Sequence, residues 1–286
     1  MTLPTFLCIG AQKGGTTALH GYLSEHPGVF VTAQKELNFF CDPEYARGIE
    51  WYESHFEDCP GDIPRGEVSP FYTSFPSNEG VPERAARHVP EARLIYLVRD
   101  PIARMVSHYR HQVSLGKEHR PLDEAVFDDW WLYIARSCYA MQIEQWMEHF
   151  ERPSLLVVTS EELRSDPGST LATICRHIGA DPLPDSEVAA RELNGRETLR
   201  QERRLMQRLR TSPLRRVVRS AVPAAARQRL WQLGSRPLDP EVQGASMSTD
   251  VRRRLVEQLT PDLEKLRTYV GQDFHCWGLL DDALAG

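Results

Sequence analysis

Short apolar runs recur along this chain, and helical patterns lie between them. The runs cover residues 6–9, 29–31, 94–98 and 154–159, and glycine, proline or charged residues bound them. Apolar runs of this length, without polar alternation, are typical of parallel strands that are buried on both faces. Their alternation with helices predicts an α/β fold, in which helices flank a central parallel sheet with right-handed crossovers.

The helices are predicted from apolar residues that recur three and four positions apart. The longest covers 123–150 and has Tyr139, Ile143 and Trp146 on one face. Ser160 is well placed to cap the helix after the run 154–159, and residues 247–250 cap a helix that runs to about residue 269. Further helices are predicted at 16–25, 44–60, 102–115 and 167–178.

Length and composition are those of one globular unit. A chain of 286 residues can bury a full core as a single α/β domain, so we expect one domain over 1–286 with an arginine-rich helical insert or lid at about 191–245. The chain lacks an apolar stretch of about 18 residues and the pattern of a signal peptide. The expected compartment is therefore the cytoplasm. Arginine is far commoner than lysine, which is typical of a high-GC genome and indicates a bacterial source.

Cysteines and carboxylates give no sign of a bound metal. The six cysteines are scattered and form no C-x-x-C pair, so they predict neither a disulfide framework nor a zinc site. No cluster of carboxylates is a candidate for metal binding either.

A glycine-rich turn follows the first apolar run, with the sequence Gly10-Ala11-Gln12-Lys13-Gly14-Gly15-Thr16-Thr17-Ala18. Such a turn directs backbone N–H groups and the positive end of a helix dipole at one point, which suits a phosphate. The glycine spacing matches the nucleotide motif G-x-x-x-x-G-K-[ST], but Thr16 stands in place of its lysine and the lysine is Lys13. The turn predicts an anion site that differs from a standard nucleotide loop. The alternative is a plain strand-to-helix turn with a solvated lysine.

Two other segments carry candidate chemistry. Arg99 ends the run 94–98, at the edge where open α/β sheets bind ligands, and Ser107 lies about a turn and a half into the next helix. A guanidinium and a hydroxyl can hold a phosphate together, although a salt-bridged Arg-Asp-Pro turn is the alternative. Glu36 lies between Lys35 and an aromatic segment, a setting that can tune a general base. A surface glutamate ahead of core aromatics is the alternative.

The glycine-rich turn resembles the phosphosulfate-binding loop of sulfotransferases that use 3′-phosphoadenosine 5′-phosphosulfate (PAPS), in the branch with the heparan sulfate sulfotransferases and many bacterial relatives. Arg99-Asp100-Pro101 with Ser107 is similar to the 3′-phosphate clamp of that family. Lys35-Glu36 before Phe39-Phe40 is similar to its catalytic segment, and 271–277 to its closing motif. Good matches cover about residues 4–180 and 246–278. The resemblance implies the sulfotransferase fold, which is related to that of P-loop NTPases.

The resemblance also implies a reaction and a set of site residues. The reaction is sulfuryl transfer from PAPS to a hydroxyl or amine without a metal ion, which leaves adenosine 3′,5′-bisphosphate (PAP). Glu36 would take the acceptor proton, and Lys13 would stabilise the leaving phosphate. The implied cofactor-binding residues are Lys13, Gly14, Gly15, Thr16, Thr17, Ala18, Arg99, Ser107, Tyr139 and Arg196, and the implied acceptor-side residues are Lys35, Glu67, Ser69 and Tyr72.

Two departures from the family pattern leave the acceptor open. Val68 replaces a lysine often found beside the acceptor cleft, and the Lys-Gly-Arg loop over the 3′-phosphate is not recognisable. Asn194-Gly195-Arg196 is a partial match to that loop. Carbohydrate, lipid-linked and small-molecule acceptors are all compatible with the sequence, and the absence of an anchor favours the last two.

The segment 191–236 is strongly basic, with thirteen arginines and three glutamates. One interpretation is a basic amphipathic lid that binds an anionic acceptor or a membrane surface. The other is a set of helices with a solvated basic face, which the abundance of arginine throughout the chain favours. Nucleic acid binding is not expected, because the net charge is −6 and no platform of base-stacking aromatics is evident.

Two other functions remain as alternatives. A P-loop kinase or NTPase would have lysine directly before Thr17 and an aspartate at the end of a strand for Mg²⁺, where this chain has Thr16 and Arg99. An inactive protein of the same fold would bind PAP without turnover, and the presence of both Lys13 and Glu36 argues against it.

Overall fold

The computed structural model describes residues 2–183, 200–202, 235–237 and 239–284. Five strands form one sheet in the order β2-β3-β1-β4-β5, so that β1 is central. Every neighbouring pair is parallel, which confirms the predicted sheet. The strands are β1 (Phe6–Gly10), β2 (Phe30–Val31), β3 (Arg65–Val68), β4 (Arg93–Val98) and β5 (Leu155–Thr159).

Helices cover both faces of this sheet. Alternate residues of β1 point to opposite faces, so that Leu7 and Ile9 join one apolar cluster and Phe6 and Cys8 join the other. The helices in chain order are α1 (Thr16–Ser24), α2 (Ile49–Glu53), α3 (Val81–His88), α4 (Pro101–Ser114), α5 (Leu122–Asp128), α6 (Trp130–Tyr133), α7 (Tyr139–Met147), α8 (Ser160–Ser165), α9 (Pro167–Ile178), α10 (Pro240–Gln243), α11 (Thr249–Val270) and α12 (Leu279–Leu284).

The prediction of one helix over 123–150 was wrong, because the chain bends twice within it. Asp129 (φ −108°, ψ 51°) ends α5, and Cys138 (φ −79°, ψ 80°) separates a short 3₁₀ turn, Ala135–Ser137, from α7. The bends bring this segment across α4, where the Tyr133 carbonyl accepts a hydrogen bond from Arg104 at 2.6 Å. Packing against α4 has therefore overridden the helical periodicity.

Two smaller predictions also need correction. The helix expected over 44–60 is confined to a 3₁₀ turn, Glu44–Arg47, and α2, because Gly48 (φ 85°, ψ 160°) interrupts it. The cap of α8 is Thr159, one residue before the predicted Ser160. The Thr159 hydroxyl accepts from the Glu162 N–H, and the Glu162 carboxylate accepts in return from the Thr159 N–H, which makes a capping box.

Helix α11 belongs to the same core as the sheet. Ser248 caps it, and Leu255, Leu259, Leu263 and Leu266 are fully buried along one side. The Asp262 carboxylate accepts from the N–H groups of Ala140 and Met141, the first turn of α7. Burial raises the pKa of this carboxyl to about 6. Helix α11 thus supplies apolar packing to the core and a cap to α7.

Most of the arginine-rich segment, including Arg196, lies outside the described residues. Its described parts are two antiparallel strands, β6 (Arg200–Glu202) and β7 (Ser235–Pro237), followed by α10. The predicted lid remains a prediction. Across the described residues, no helix combines the length and the apolar character needed to cross a bilayer.

Candidate active site

The predicted site residues meet at one edge of the sheet. Because the five strands are parallel, their carboxyl ends lie along the same edge, where open α/β sheets bind ligands. Lys13 follows β1, Lys35 and Glu36 follow β2, Ser69 and Tyr72 follow β3, and Arg99 follows β4.

The glycine-rich loop is packed tightly against β4. The Ala11 N–H donates to the Leu97 carbonyl at 2.7 Å, and a Cβ on Gly14 would lie only 2.4 Å from that carbonyl oxygen. Gly15 has φ 98°, a conformation that favours glycine, and it precedes α1 without giving it a side-chain cap. The first N–H groups of a helix have no partner within the helix. The loop therefore presents N–H donors to an anion, with buried Thr16 and exposed Thr17 in the first turn.

Lys35 connects this loop to the predicted base. Its ammonium donates to the Thr17 hydroxyl at 2.7 Å and forms an ion pair with Glu36 at 3.0 Å. The Glu36 side chain remains 39% exposed, so an acceptor can reach it. The structure thus brings together a carboxylate, a lysine and the anion loop, all of which the sequence had predicted separately.

Unusual backbone conformations cluster at the same place. Lys13 (φ 69°), Glu36 (φ 60°) and Asn38 (φ 52°) are non-glycine residues in the left-handed region. Such residues are uncommon and concentrate at functional sites, where the surroundings hold them. Lys13 is also half-buried and acts on His108 of α4, whose pKa is lowered chiefly by burial and further by Arg104 and other cations, including Lys13.

A second group of donors lies where β4 meets α4. The Nε atoms of Arg99 and Arg110 are both buried without a hydrogen-bond partner. Burial, and then the positive charge of Arg99, lowers the pKa of Arg110. Ser107 lies one turn before Arg110 on the same helix. Buried donors without a partner carry a free-energy penalty, which an oxyanion would remove.

Tyr139 contacts the backbone of Arg99. It is fully buried, and its hydroxyl donates to the Arg99 carbonyl at 2.7 Å. Its position is that of a residue that orients Arg99, and direct contact with a cofactor stays a prediction.

Glu67, Ser69 and Tyr72 form a buried network. The Glu67 carboxylate accepts hydrogen bonds of 2.5–2.6 Å from the hydroxyls of Tyr52, Ser69 and Tyr72, and all four residues are at most 2% exposed. Burial raises the pKa of Glu67, although the three donors oppose the shift. The network holds the turn after β3 in place, and contact with an acceptor stays a prediction for these residues.

Sequence reasoning missed two buried arginines next to the loop. Arg104, 0% exposed, donates to the Gln12 carbonyl at 3.4 Å and to the Ser137 hydroxyl at 2.6 Å. Arg136, 5% exposed, donates to the Gln12 side chain at 2.6 Å. The available signal was a charged residue on the apolar stripe of α4, where Arg104 lies between buried neighbours. Among the residues that the structure describes, no group of three or more metal-ligating side chains is placed to hold a metal ion.

Known proteins resemble this chain in sequence. The sulfotransferase domain family matches residues 3–201. The bifunctional heparan sulfate N-deacetylase/N-sulfotransferase 4 of Mus musculus is 33% identical over 199 residues, which is 63% of this chain and 23% of that protein. The heparan sulfate glucosamine 3-O-sulfotransferase 3B1 of Homo sapiens is 32% identical over 186 residues, which is 62% of this chain and 46% of that protein. The chain thus spans less than half the length of these relatives.

A solved structure resembles the whole fold. A sulfotransferase from Alicyclobacillus acidocaldarius superposes with a TM-score of 0.69 and covers 97% of this chain and 100% of its own, at 22% identity. At that identity the likeness establishes the fold alone. The family match covers well over half of the residues, and the chain therefore belongs to the sulfotransferase family.

Proposed function

We propose that this protein transfers the sulfuryl group of PAPS to a hydroxyl or amine of an acceptor. The observation that carries the proposal is the bridge of Lys35, which ties the Glu36 carboxylate to Thr17 of the anion loop. A group that can accept a proton is thereby held beside a loop suited to a phosphosulfate. The family of the chain supports the same chemistry.

Two groups of hydrogen-bond donors on the protein would bind the two anionic ends of PAPS. The first turn of α1 and Lys13 would hold the 5′-phosphosulfate, since the helix begins without a side-chain cap and Lys13 lies in the loop just before it. Arg99 and Ser107 would hold the 3′-phosphate, and the buried Nε of Arg99 has no other partner. Bound PAPS would supply a sulfuryl group on a good leaving group, the 5′-phosphate.

The residues divide the reaction between them. Glu36 accepts the proton that the acceptor loses as its oxygen or nitrogen bonds to sulfur. Lys13 stabilises the charge that grows on the 5′-phosphate oxygen as the bond from that oxygen to sulfur breaks, and PAP leaves. Fixed charges of this kind, aimed at the place where charge develops, are a large part of catalysis in group transfer.

The relatives suggest which class of acceptor to test first. Two curated relatives carry heparan sulfate in their names, so we propose carbohydrate acceptors as the first class to test. Lipid-linked and small-molecule acceptors stay in the same panel, because Val68 replaces the lysine that the resemblance places beside the acceptor cleft.

Calorimetric titration of PAP tests whether PAPS is the sulfuryl donor. PAP is titrated into wild type, Arg99→Ala and the control Arg93→Ala, which removes an exposed arginine at the other end of β4. We expect tight binding to wild type and control, and a loss of about tenfold or more in Arg99→Ala, because a charged hydrogen bond is removed.

Two outcomes would overturn parts of the proposal. Tight binding of ATP with Mg²⁺ and weak binding of PAP would indicate a nucleotide-triphosphate site instead. Tight PAP binding without PAP release from PAPS across a panel of hydroxyl and amine acceptors would indicate a binding protein without activity.

A further inference from the structure

Two buried guanidinium groups meet at Gln12, the residue before Lys13 in the anion loop. Arg104 of α4 is 0% exposed, and its Nη1 donates to the Gln12 carbonyl at 3.4 Å. Arg136 is 5% exposed, and its Nη1 donates to the Gln12 side-chain oxygen at 2.6 Å. The main chain and the side chain of one loop residue are therefore held by two different arginines.

The two arginines belong to one packed unit. The Nε of Arg104 donates to the Ser137 hydroxyl, and its Nη2 donates to the Tyr133 carbonyl, both at 2.6 Å. Ser137 and Arg136 lie in the same 3₁₀ turn, Ala135–Ser137. Both guanidinium groups are thus fixed to α4 and to the turn before α7, and both reach the loop at Gln12.

The charges of this pair are not balanced by carboxylates. Within the part of the chain that the structure describes, no aspartate or glutamate forms an ion pair with Arg104 or Arg136. Burial lowers the pKa of both, and burial together with the charge of Arg104 brings the pKa of Arg136 to about 10, so both stay charged at neutral pH. Buried cations are costly unless an anion accompanies them.

The loop that adjoins the pair is suited to such an anion. Helix α1 begins there without a side-chain cap. Lys13, directly after Gln12, has a left-handed backbone (φ 69°), a conformation that persists only where the surroundings hold it. Charges act on each other over several ångströms inside a protein, so the two arginines favour an anion at the loop without touching it.

We propose that Arg136, together with Arg104, is a positioning residue for the 5′-phosphosulfate. It fixes Gln12, and hence the path of the loop into Lys13, and its charge favours the anion that the loop binds. This role rests on the proposed function and adds to it a residue that lies behind the loop and makes no contact with the donor.

The test uses two nucleotides that differ only at the 5′ position. One is PAP, and the other is adenosine 3′-monophosphate, which keeps the 3′-phosphate and lacks the 5′-phosphate. Calorimetry measures the affinity of each for wild type and Arg136→Gln, and urea unfolding checks that the variant is folded. We expect wild type to prefer PAP, and Arg136→Gln to lose about tenfold in affinity for PAP alone, because only the 5′-phosphate occupies the loop.

Further variants separate the contact from the charge. Arg136→Lys keeps the charge and should retain part of the PAP affinity that Arg136→Gln loses. The double variant Gln12→Ala/Arg136→Gln should lose less PAP affinity than the two single losses combined, because both changes remove one contact. The control Arg47→Gln removes an exposed arginine, 3.7 Å from the centre of the Trp51 ring, and should bind both nucleotides as wild type does.

Three results would overturn this role. Unchanged PAP affinity in Arg136→Gln would show that the arginine does not act on the loop, and an equal loss for both nucleotides would show a general effect on the fold. Additive losses in the double variant would show that Arg136 does not act through Gln12. An Arg136→Lys variant as weak as Arg136→Gln would exclude the contribution of charge. Failure of the proposed function is distinguishable, since it would appear as absence of PAP binding in wild type.

Discussion

Glu36 and Lys35 form the contact on which the proposed chemistry depends most directly. The carboxylate is bound on one side by the Lys35 ammonium and is open to solvent on the other, and its backbone is held in the left-handed region. Lys35 pairs with the proposed base and also contacts Thr17. A ligand that binds the anion loop and moves Lys35 would therefore change the surroundings of the Glu36 carboxylate. In the proposed mechanism, donor binding and proton acceptance are therefore joined through the Lys35 side chain.

Replacement of Glu36 by glutamine should separate binding from turnover. We expect Glu36→Gln to bind PAP as wild type does, while kcat with the best acceptor of the panel falls by about 10² to 10⁴, the usual contribution of a general base. Calorimetry and the rate of PAP release check the two parts. Glu50→Gln, at an exposed position, is the control. An unchanged kcat would remove Glu36 from the mechanism.

Glu67 should make stability depend on pH. Its pKa is raised above the ordinary 4.5 by burial, so the folded protein holds this proton more tightly than the unfolded chain does. The contribution of Glu67 to the free energy of unfolding therefore falls as pH rises above about 4.5, and it falls until the folded pKa is passed. Glu67→Gln lacks this dependence. Its stability relative to wild type should rise with pH in urea unfolding between pH 5 and 8.

The control for this experiment is Glu91→Gln, an exposed glutamate in the turn before β4. Parallel pH profiles for wild type and Glu67→Gln would show that Glu67 is not protonated preferentially in the folded protein.

At the scale of residues, the sequence could predict only those parts of the candidate site that lie in short motifs. Lys13, Glu36 and Arg99 each stand beside a strand end that an apolar run makes visible. Arg104 and Arg136 were not predicted, since their partners are remote in the chain. The bond from Arg136 to Gln12 spans 124 residues, and no local pattern records it.

The loop between β1 and α1 is the element with the least room for change. A Cβ on Gly14 would lie 2.4 Å from the Leu97 carbonyl oxygen and 2.9 Å from that of Ala11, and both are backbone atoms. The loop and β4 would have to move apart to accept any side chain. The N–H groups of the loop would then no longer converge on one point.

Gly14→Ala should therefore weaken both PAP binding and the fold. We expect PAP affinity to fall by about tenfold or more, and the free energy of unfolding to fall by about 1–3 kcal/mol, as for other overpacked sites. Gly28→Ala is a matched control, because its Cβ would meet only the His26 ring at 3.4 Å. Equal PAP affinity in wild type and Gly14→Ala would contradict the packing argument.

At the scale of elements, strands with purely apolar runs were predicted and β3 was not. Glu67 interrupts the apolar pattern of β3, and it is tolerated because three hydroxyls from Tyr52, Ser69 and Tyr72 surround its carboxylate. The long helix predicted over 123–150 failed for a related reason. Its periodicity is genuine, but contacts with α4 stabilise two bends that periodicity cannot show.

For the whole molecule, α11 ties the C-terminal part of the chain to the sheet and to α7. Leu259 is 0% exposed at the middle of its buried face. We expect Leu259→Ala to lower the free energy of unfolding by about 2–5 kcal/mol, the range for buried leucines. The exposed Glu264→Ala should change it by no more than about 0.5 kcal/mol.

Urea unfolding followed by circular dichroism checks this prediction. A single transition, shifted as a whole in Leu259→Ala, is expected if α11 and the sheet unfold together. Loss of α11 signal before the rest of the protein would show that the helix is a separate unit.

The apolar runs could not predict the order of the strands in the sheet. The runs predicted parallel strands, but the order β2-β3-β1-β4-β5 depends on which helices cross which face. That order is set by contacts between elements far apart in the chain, as in the two apolar clusters on opposite faces.

The central place of β1 bears on how such a protein diversifies. The proposed donor residues follow β1 and β4 on one side, while Glu36 and the acceptor-side turn follow β2 and β3 on the other. Under the proposed function, mutations beyond β2 and β3 that keep the contact of Lys35 with Thr17 can change the acceptor while the donor-binding residues stay in place. Lineages can therefore acquire new acceptors over evolutionary time while the residues after β1 and β4 that would bind the sulfuryl donor stay the same.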